Sequence, residues 1–309
     1  MLNALTGFLI IDKERGLTSH DCIKYVRKIF NTKKVGHAGT LDPNVSGVLP
    51  IAIGTSTRLI KYLPKDKTYI GTIKLGICTD TDDMDGKILA NKSWSYINQE
   101  SLEKLLSEFV GDLNQIPPKY SSKHINGERA YKKARRGDDF VIPPKKIRIY
   151  SIQLLDFSNE IGEVKVKVEC EEGTYIRSLA RDIGLRMNTV ACLKSLRRIK
   201  ASGFEDKNAI TFEALNSYNL NKNNILITPL QALSNLNAYK VLDEKEIVAW
   251  STGQKIKYNS INLERVPDDI KTSTNNILII INNINKLIGI GEIIDKTFIK
   301  PKVVTIAKG

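Results

Sequence analysis

The chain has 309 residues, 41% of them apolar, and a formal net charge of +13. That length holds one large or two medium domains with a real core, and the charge points to a polyanionic partner, either nucleic acid or an anionic membrane surface. Four scattered cysteines without a CxxC pair and three histidines without an HxH or HExxH pattern exclude a disulfide scaffold and a histidine-based zinc site. No P-loop or dinucleotide glycine pattern is present, which disfavours a nucleotide-dependent enzyme.

Met1 to Ile11 has a short apolar run without a basic leader, and Asp12 ends it, so no signal peptide is expected. Gly7 to Ile11 is predicted as a buried strand, followed by a turn over Asp12 to Gly16. Thr18 or Ser19 then caps a helix over His20 to Phe30, with Cys22, Ile23, Val26, Ile29 and Phe30 at helical spacing. The stretch from Val35 to Gly54 is a turn-rich loop feeding an apolar run. Pro43 fixes its own φ and pushes Asp42 out of the helical region. One carboxylate thus stands on a constrained loop, five residues after the imidazole of His37. On local chemistry alone, Asp42-Pro43 is a turn opener or helix cap.

Ser56 to Leu63 is predicted as a short helix stopped by Pro64, and Thr68 to Cys78 as a strand carrying Tyr69. The acidic run Thr79 to Gly86 has the D-x-D spacing of a calcium loop but has Lys92 where an EF-hand needs Glu, so a surface turn is expected. Leu102, Leu105, Leu106, Phe109 and Val110 mark an amphipathic helix. From Lys119 to Arg148 there are ten Lys/Arg against three acids, interleaved with Tyr120, Tyr131 and Phe140. Such a segment suits phosphate contacts, with rings free to pack on bases or sugars. Ile147 to Phe157 and Val164 to Cys170 are predicted strands, Thr174 an N-cap for a helix to Met187, and Ile210 to Leu220 a further helix. Asn216 to Asn224 is an Asn-rich loop, and beyond Asn237 the chain turns to short strands; Ile277 to Ile281 is far too short to cross a bilayer.

The run G-H-A-G-T-L-D-P-x-x-S-G-V-L-P-I-A-I-G, residues 36–54, resembles the active-site motif of the TruB-type pseudouridine synthases, which make the pseudouridine of the tRNA T arm. Four further segments follow the family's order: Tyr69 in its strand, P-P-K-Y-S-S-x-x-x-x-G-x-R-A-Y from Pro117, G-T-Y-I-R-S from Gly173, and the stretch around Leu196-Arg197-Arg198. The first turn also matches at Lys13 and Gly16, although Glu14 replaces the usual proline, and His124 stands where the family commonly has lysine.

The resemblance implies an α+β fold, with a mixed, mainly antiparallel sheet flanked by helices and a small C-terminal PUA-like β-barrel. The catalytic domain would span 1–236, with 119–148 as its RNA-contacting segment, and the PUA-like RNA-binding domain 237–309. It further implies Asp42 as nucleophile, Arg177 as its charge partner, and Tyr69 as base-stacking residue and proton acceptor. His37, Tyr175 and Leu196 would shape the base site, and Lys13, Lys123, His124 and Arg129 would face the RNA. A lone carboxylate in an apolar pocket tends to take up a proton, and an adjacent guanidinium opposes this, so the pairing is chemically sensible.

The expected reaction turns uridine 55 of the T loop into pseudouridine on a flipped-out nucleotide, without cofactor or metal. Expected alongside are a tRNA T-arm stem-loop as partner, no membrane and no obligatory protein partner, a monomer, and a cytoplasmic location. A guide-RNA-dependent synthase is the first rival; it is disfavoured because this chain begins about six residues before its first strand. An RNA chaperone that binds without isomerising is the second.

Overall fold

The Gly7–Lys13 strand pairs antiparallel with Ser46–Ile53, setting Ile10 opposite Pro50 and Lys13 opposite Gly47. This is a computed structural model that describes residues 5–217, 224–264 and 276–306. Both strands are continuous apolar runs because each face meets a core. Leu9, Ile11, Leu49, Ile51 and Ile53 enter one core, while Phe8, Ile10, Val48 and Ala52 enter another.

The main sheet runs in the order Gly7–Lys13, Ser46–Ile53, Ala191–Ala201, Asp66–Leu75, Glu163–Glu171, Lys145–Ser158, Gly111–Gln115. Val35–His37 and Phe204–Glu205 add short outer pairings. Every pairing is antiparallel except that of Ala191–Ala201 with Ser46–Ile53, which joins Arg197 to Ser46 and Arg198 to Gly47. Gly47 has a φ of +107°, and a Cβ there would stand 2.1 Å from the Arg198 carbonyl oxygen. Only glycine lets the active-site loop enter its strand at this point. In Glu163–Glu171 the expected alternation holds: Val164, Val166 and Val168 are fully buried, with Lys165 and Lys167 exposed between them.

Helices cover the sheet. Thr18 caps Ser19–Ile29: its Oγ1 accepts from Asp21 N at 3.0 Å, and the Asp21 carboxylate accepts from Thr18 N at 3.2 Å. Gln99–Glu108 is the predicted amphipathic helix, burying Leu102, Leu105 and Leu106.

Three local expectations differ from the structure. Ser56 to Leu63 is not an α-helix but two 3₁₀ turns, Gly54–Arg58 and Ile60–Tyr62. Eight residues are too few to sustain a helix on their own, and Thr57 Oγ1 bonds the Gly54 carbonyl instead. The Tyr69 strand stops at Leu75, since Gly76 takes a φ of +84° beside the Trp94 ring. The helix after Gly173 is Ile176–Arg186 and is capped at Tyr175, not Thr174. No side chain caps its first turn; Gln115 instead pins the cap residue, its Oε1 accepting from Tyr175 N at 2.8 Å and its Nε2 donating to Tyr175 O at 3.1 Å. The helix predicted from Ile210 is seen over Phe212–Ser217; its last residues and most of the Asn-rich loop lie outside the described residues.

The C-terminal strands form a six-stranded mixed sheet, ordered Ile256–Lys257, Phe298–Val304, Leu287–Ile294, Ile277–Ile281, Ala238–Lys240, Leu263–Glu264. Trp250 of the Glu244–Ser251 helix is fully buried on it and donates to Ile288 O at 2.9 Å. Ile279, Ile281, Ile290 and Val303 of this sheet pack in one cluster with Phe8, Ile10 and Val48 of the main sheet. Among the described residues no helix is long and apolar enough to cross a membrane. All four cysteines are free.

Candidate active site

Asp42 sits on the loop between Val35–His37 and Ser46–Ile53. Three side chains from separate elements hold that loop. Lys13 is completely buried, and its ammonium donates to the carbonyls of Glu14 (2.9 Å), Leu17 (2.8 Å) and Pro43 (3.0 Å). Ser19 Oγ donates to Leu41 O at 3.1 Å and accepts from Leu41 N at 2.9 Å. Arg198, also fully buried, donates to Val48 O at 2.8 Å, Thr40 O at 3.3 Å and Gly39 O at 3.1 Å. Fixed charges spent on backbone carbonyls give the carboxylate its place without closing it off: the Asp42 side chain is 48% exposed.

Arg177, one residue into its helix, meets it. Its Nη2 lies 2.8 Å from Asp42 Oδ2, and its own side chain is only 8% exposed. The rest of the guanidinium is occupied as well. Nη1 lies 3.6 Å from Asp83 Oδ2 and donates to Thr81 O at 3.0 Å, while Nη2 donates to Tyr120 O at 3.0 Å. The fork is thus held on both sides, and it faces Asp42 as a close ion pair. Asp83 comes from the acidic turn, and Asn44 of the active-site loop donates to Asp85 of the same turn. Burial pushes the Asp83 carboxyl up, against the Thr81 hydroxyl and Arg177, which pull it down. Asp82 is likewise raised by burial and is paired with Arg181 at 2.7 Å. Among the described residues no group of three His, Cys, Asp or Glu is placed to hold a metal ion.

Two cavities meet at the Asp42–Arg177 pair: both residues line each of them, as do Val45 and Leu196. The outer cavity, about 500 Å³, takes Tyr120, Tyr131 and Arg135 from the basic segment. The inner cavity, about 250 Å³, is walled by Tyr69, Tyr175, Leu41 and Ile176, with Lys67 and Thr40 among its polar groups. Burial pushes the phenols of Tyr69 and Tyr175 above their ordinary values, so both keep their protons.

The structure thus brings together Asp42, Arg177, Tyr69, Tyr175 and Leu196. It sets other candidates apart. Lys13 is a loop anchor with no exposed surface, so the expected RNA contact gives way to a supporting role. His37 is half-buried in its short strand opposite Ile51; its Nδ1 is buried without a partner, and burial followed by Arg198 lowers its pKa. Lys123, His124 and Arg129 lie on the small hairpin His124–Ile125/Glu128–Arg129 and line neither cavity. Lys123 donates to Pro143 O at 3.1 Å and Arg129 to Ser122 O. Ser19, Asp83, Arg198 and Lys67 were given no site role beforehand; Arg198 alone stood in a matching segment, and Ser19 was read only as a helix cap.

The chain is similar to known proteins over almost its whole length. Residues 27–176 match the TruB family pseudouridylate synthase N-terminal domain, and 177–234 match the tRNA pseudouridylate synthase B C-terminal domain. The chain is 44% identical over 305 residues to the tRNA pseudouridine synthase B of Prochlorococcus marinus strain AS9601, covering 98% of each chain. It is 45% identical over 303 residues to that of strain MIT 9515, again covering 98% of each. Among solved structures, a Cbf5-Nop10-Gar1 complex superposes with a TM-score of 0.73 at 24% identity, over 98% of this chain and 85% of the other. An H/ACA RNP bound to a substrate RNA gives 0.72 at 23% identity, over 98% and 86%. These two likenesses speak for the pseudouridine synthase fold.

The chain belongs to the TruB family of pseudouridine synthases. It is an RNA-binding isomerase that converts uridine in tRNA to pseudouridine.

Proposed function

We propose that the enzyme acts on uridine 55 in the T loop of tRNA, takes that nucleotide out of its stack, and uses Asp42 as the nucleophile. The observation that carries this is the Asp42–Arg177 pair at 2.8 Å, standing where the two cavities meet. Isomerisation breaks the N1–C1′ bond and joins C5 of the base to C1′. It calls for a group at the sugar–base junction and a chamber in which the detached base turns. Asp42 supplies the first, and the inner cavity, walled by Tyr69, Tyr175 and Leu196, supplies the second.

A base inside a helix or a stacked loop is out of reach of a carboxylate fixed this firmly, so extrusion has to precede chemistry. Tyr69 stacks on the extruded base. Its raised pKa favours that role over taking up the C5 proton in the resting enzyme. The outer cavity, with Tyr120, Tyr131 and Arg135 on its wall, lies on the side from which the RNA strand enters. The C-terminal six-stranded sheet is read as a PUA-like RNA-binding module. The reaction needs no redox step, metal or energy donor, and the enzyme is proposed to work as a cytoplasmic monomer without a protein partner.

The test uses a T-arm stem-loop carrying C5-tritiated uridine, with purified protein, EDTA and no cofactor, beside Asp42→Asn. Tritium release by the wild type alone is the expected result. Release by both proteins would remove Asp42 from its role. Binding by both without release would favour a chaperone or a missing guide RNA.

A further inference from the structure

Lys67 lies two residues before Tyr69 on the Asp66–Leu75 strand, so both side chains leave the same face. It lines the inner cavity together with Asp42, Tyr69 and Leu196. Among the described residues its ammonium has no hydrogen-bond or ion-pair partner. Glu172, the acid that acts on it, is paired with Lys65 at 3.5 Å. The position of the ammonium is set by a bare backbone: a Cβ on Gly39 would stand 3.1 Å from Lys67 Nζ and 3.6 Å from Arg198 Nη1. Across the cavity lining, Lys145 Nζ crowds Gly173 in the same way, 2.1 Å from where a Cβ would be.

Two cations converge on one glycine of the active-site loop, and the one with access to the cavity is unpaired. Such a group is built for an anion that arrives later. Burial, Arg198 and Lys145 push the Lys67 ammonium down to about 8, with Glu172 and Cys170 pulling the other way. The walls around it identify the anion. Tyr69, Tyr175, Leu41, Ile176 and Leu196 suit a planar base and not a hydrated phosphodiester.

We infer that Lys67 is a catalytic residue that donates a hydrogen bond to a carbonyl oxygen of the uracil and stabilises the negative charge the base carries while it is detached. The inference rests on the function proposed above but not on the route. If the N1–C1′ bond breaks first, its electron pair stays on the uracil and spreads over N1, O2 and O4. If Asp42 adds at C6, the C5–C6 pair moves towards O4. In the first route Asp42 holds C1′ until C5 displaces it; in the second C5 takes C1′ from N1 and Asp42 then leaves C6. On both routes the C5 proton leaves to solvent, and the charge is discharged when N1 takes up a proton from solvent. Lys67 keeps its own proton throughout. A donor fixed before the charge develops acts as an oxyanion hole does.

The experiment is single-turnover tritium release with enzyme in excess over the stem-loop, for wild type, Lys67→Met and Lys67→Arg, with RNA affinity measured in parallel. Lys67→Met should be slower by ~10²–10³-fold, the usual effect of removing one such donor. Lys67→Arg should recover most of the rate, and both variants should bind RNA within ~2-fold of wild type. The wild-type kcat/KM should fall above about pH 8, as the free-enzyme ammonium loses its proton. That limb should vanish in Lys67→Met and move upward in Lys67→Arg. Should Lys67→Met fail to fold, Lys67→Gln carries the same comparison. A Lys67→Met enzyme as fast as wild type overturns the inference. So does a variant with weaker binding, a shallower salt dependence and an unchanged rate for bound RNA, which would make Lys67 a phosphate contact. Either result leaves Asp42 untouched, whereas a wild type that releases no tritium brings down the functional reading itself.

Discussion

The active-site loop and the basic segment both hold charged side chains, but they use them in opposite ways. Around Asp42 the charges are buried and spent on backbone: Lys13 on three carbonyls, Arg198 on three more, Arg177 on two carbonyls and two carboxylates. In 119–148 they are near the surface, and several are spent on one another, while Lys123 and Arg129 donate to single carbonyls. Arg136 bridges Glu128 at 2.5 Å and Asp138 at 2.7 Å, and Lys133 reaches Glu128 at 3.9 Å. The helix there, Ala130–Arg136, is two turns long and ends on Gly137 with a φ of +78°. Buried charges fix a geometry and resist salt; surface pairs contribute little stability and are screened. The molecule keeps rigidity around the proposed nucleophile and leaves exchangeable charge on the segment proposed to meet the RNA.

That contrast can be broken at four points. The largest effect belongs to Asp42→Asn, expected to lower single-turnover tritium release by at least ~10³-fold with RNA affinity kept within ~2-fold. Next comes Arg177→Met, which strips the carboxylates of Asp42 and Asp83 of their shared partner and orphans the carbonyls of Thr81 and Tyr120. Asp42 is half exposed and water can serve it, so the cost comes mainly from the orphaned carbonyls and from Asp83, about 1–3 kcal/mol, to be read in urea melts, and turnover should be lost with it. Ser19→Ala removes the hydroxyl that serves both polar groups of Leu41. A drop of about 1–2 kcal/mol is expected, with the midpoint shifted and the urea slope unchanged. The smallest effect is that of Lys132→Ala, an exposed residue of the basic segment. Its stability should match wild type, while RNA binding weakens and the slope of log affinity against log salt shrinks by about 1. If Lys132→Ala instead unfolded the protein, or Ser19→Ala left it untouched, the division of labour between the two regions would be wrong.

How much of this was legible beforehand depended on distance along the chain. The strand expected over Gly7 to Ile11, which runs on through Asp12 and Lys13 where a turn was expected, the helix capped by Thr18 and the Lys/Val alternation of 163–169 follow largely from local period and capping chemistry. The resemblance singled out Asp42 and Arg177 across 134 intervening residues because each lies in its own motif. What could not be read was convergence without a motif. Arg198 reaches Gly39, Thr40 and Val48 only because its strand lies parallel to Ser46–Ile53, a pairing that no spacing announces. The acidic turn 79–86 has the composition of a solvated loop, yet Asp83 folds back onto Arg177. Lys13 had the chemistry of an RNA contact and the burial of a core residue. Thr174 had the chemistry of a cap, but the helix starts one residue later, where Gln115 of Gly111–Gln115 pins the backbone of Tyr175. In each case the competing partner came from tens of residues away.

The apolar cluster shared by Phe8, Ile10 and Val48 with Ile279, Ile281, Ile290 and Val303 has a mechanical meaning. Because one pair of strands is a wall to both cores, the C-terminal sheet is welded to the back of the strands that carry the Asp42 loop, and Arg58 adds a bond to Val304 O at 2.9 Å. It cannot swing as a tethered arm. If the C-terminal sheet holds RNA as proposed, that RNA is offered to Asp42 at a set span, like a workpiece in a jig, and heat should melt the two sheets together in a single step.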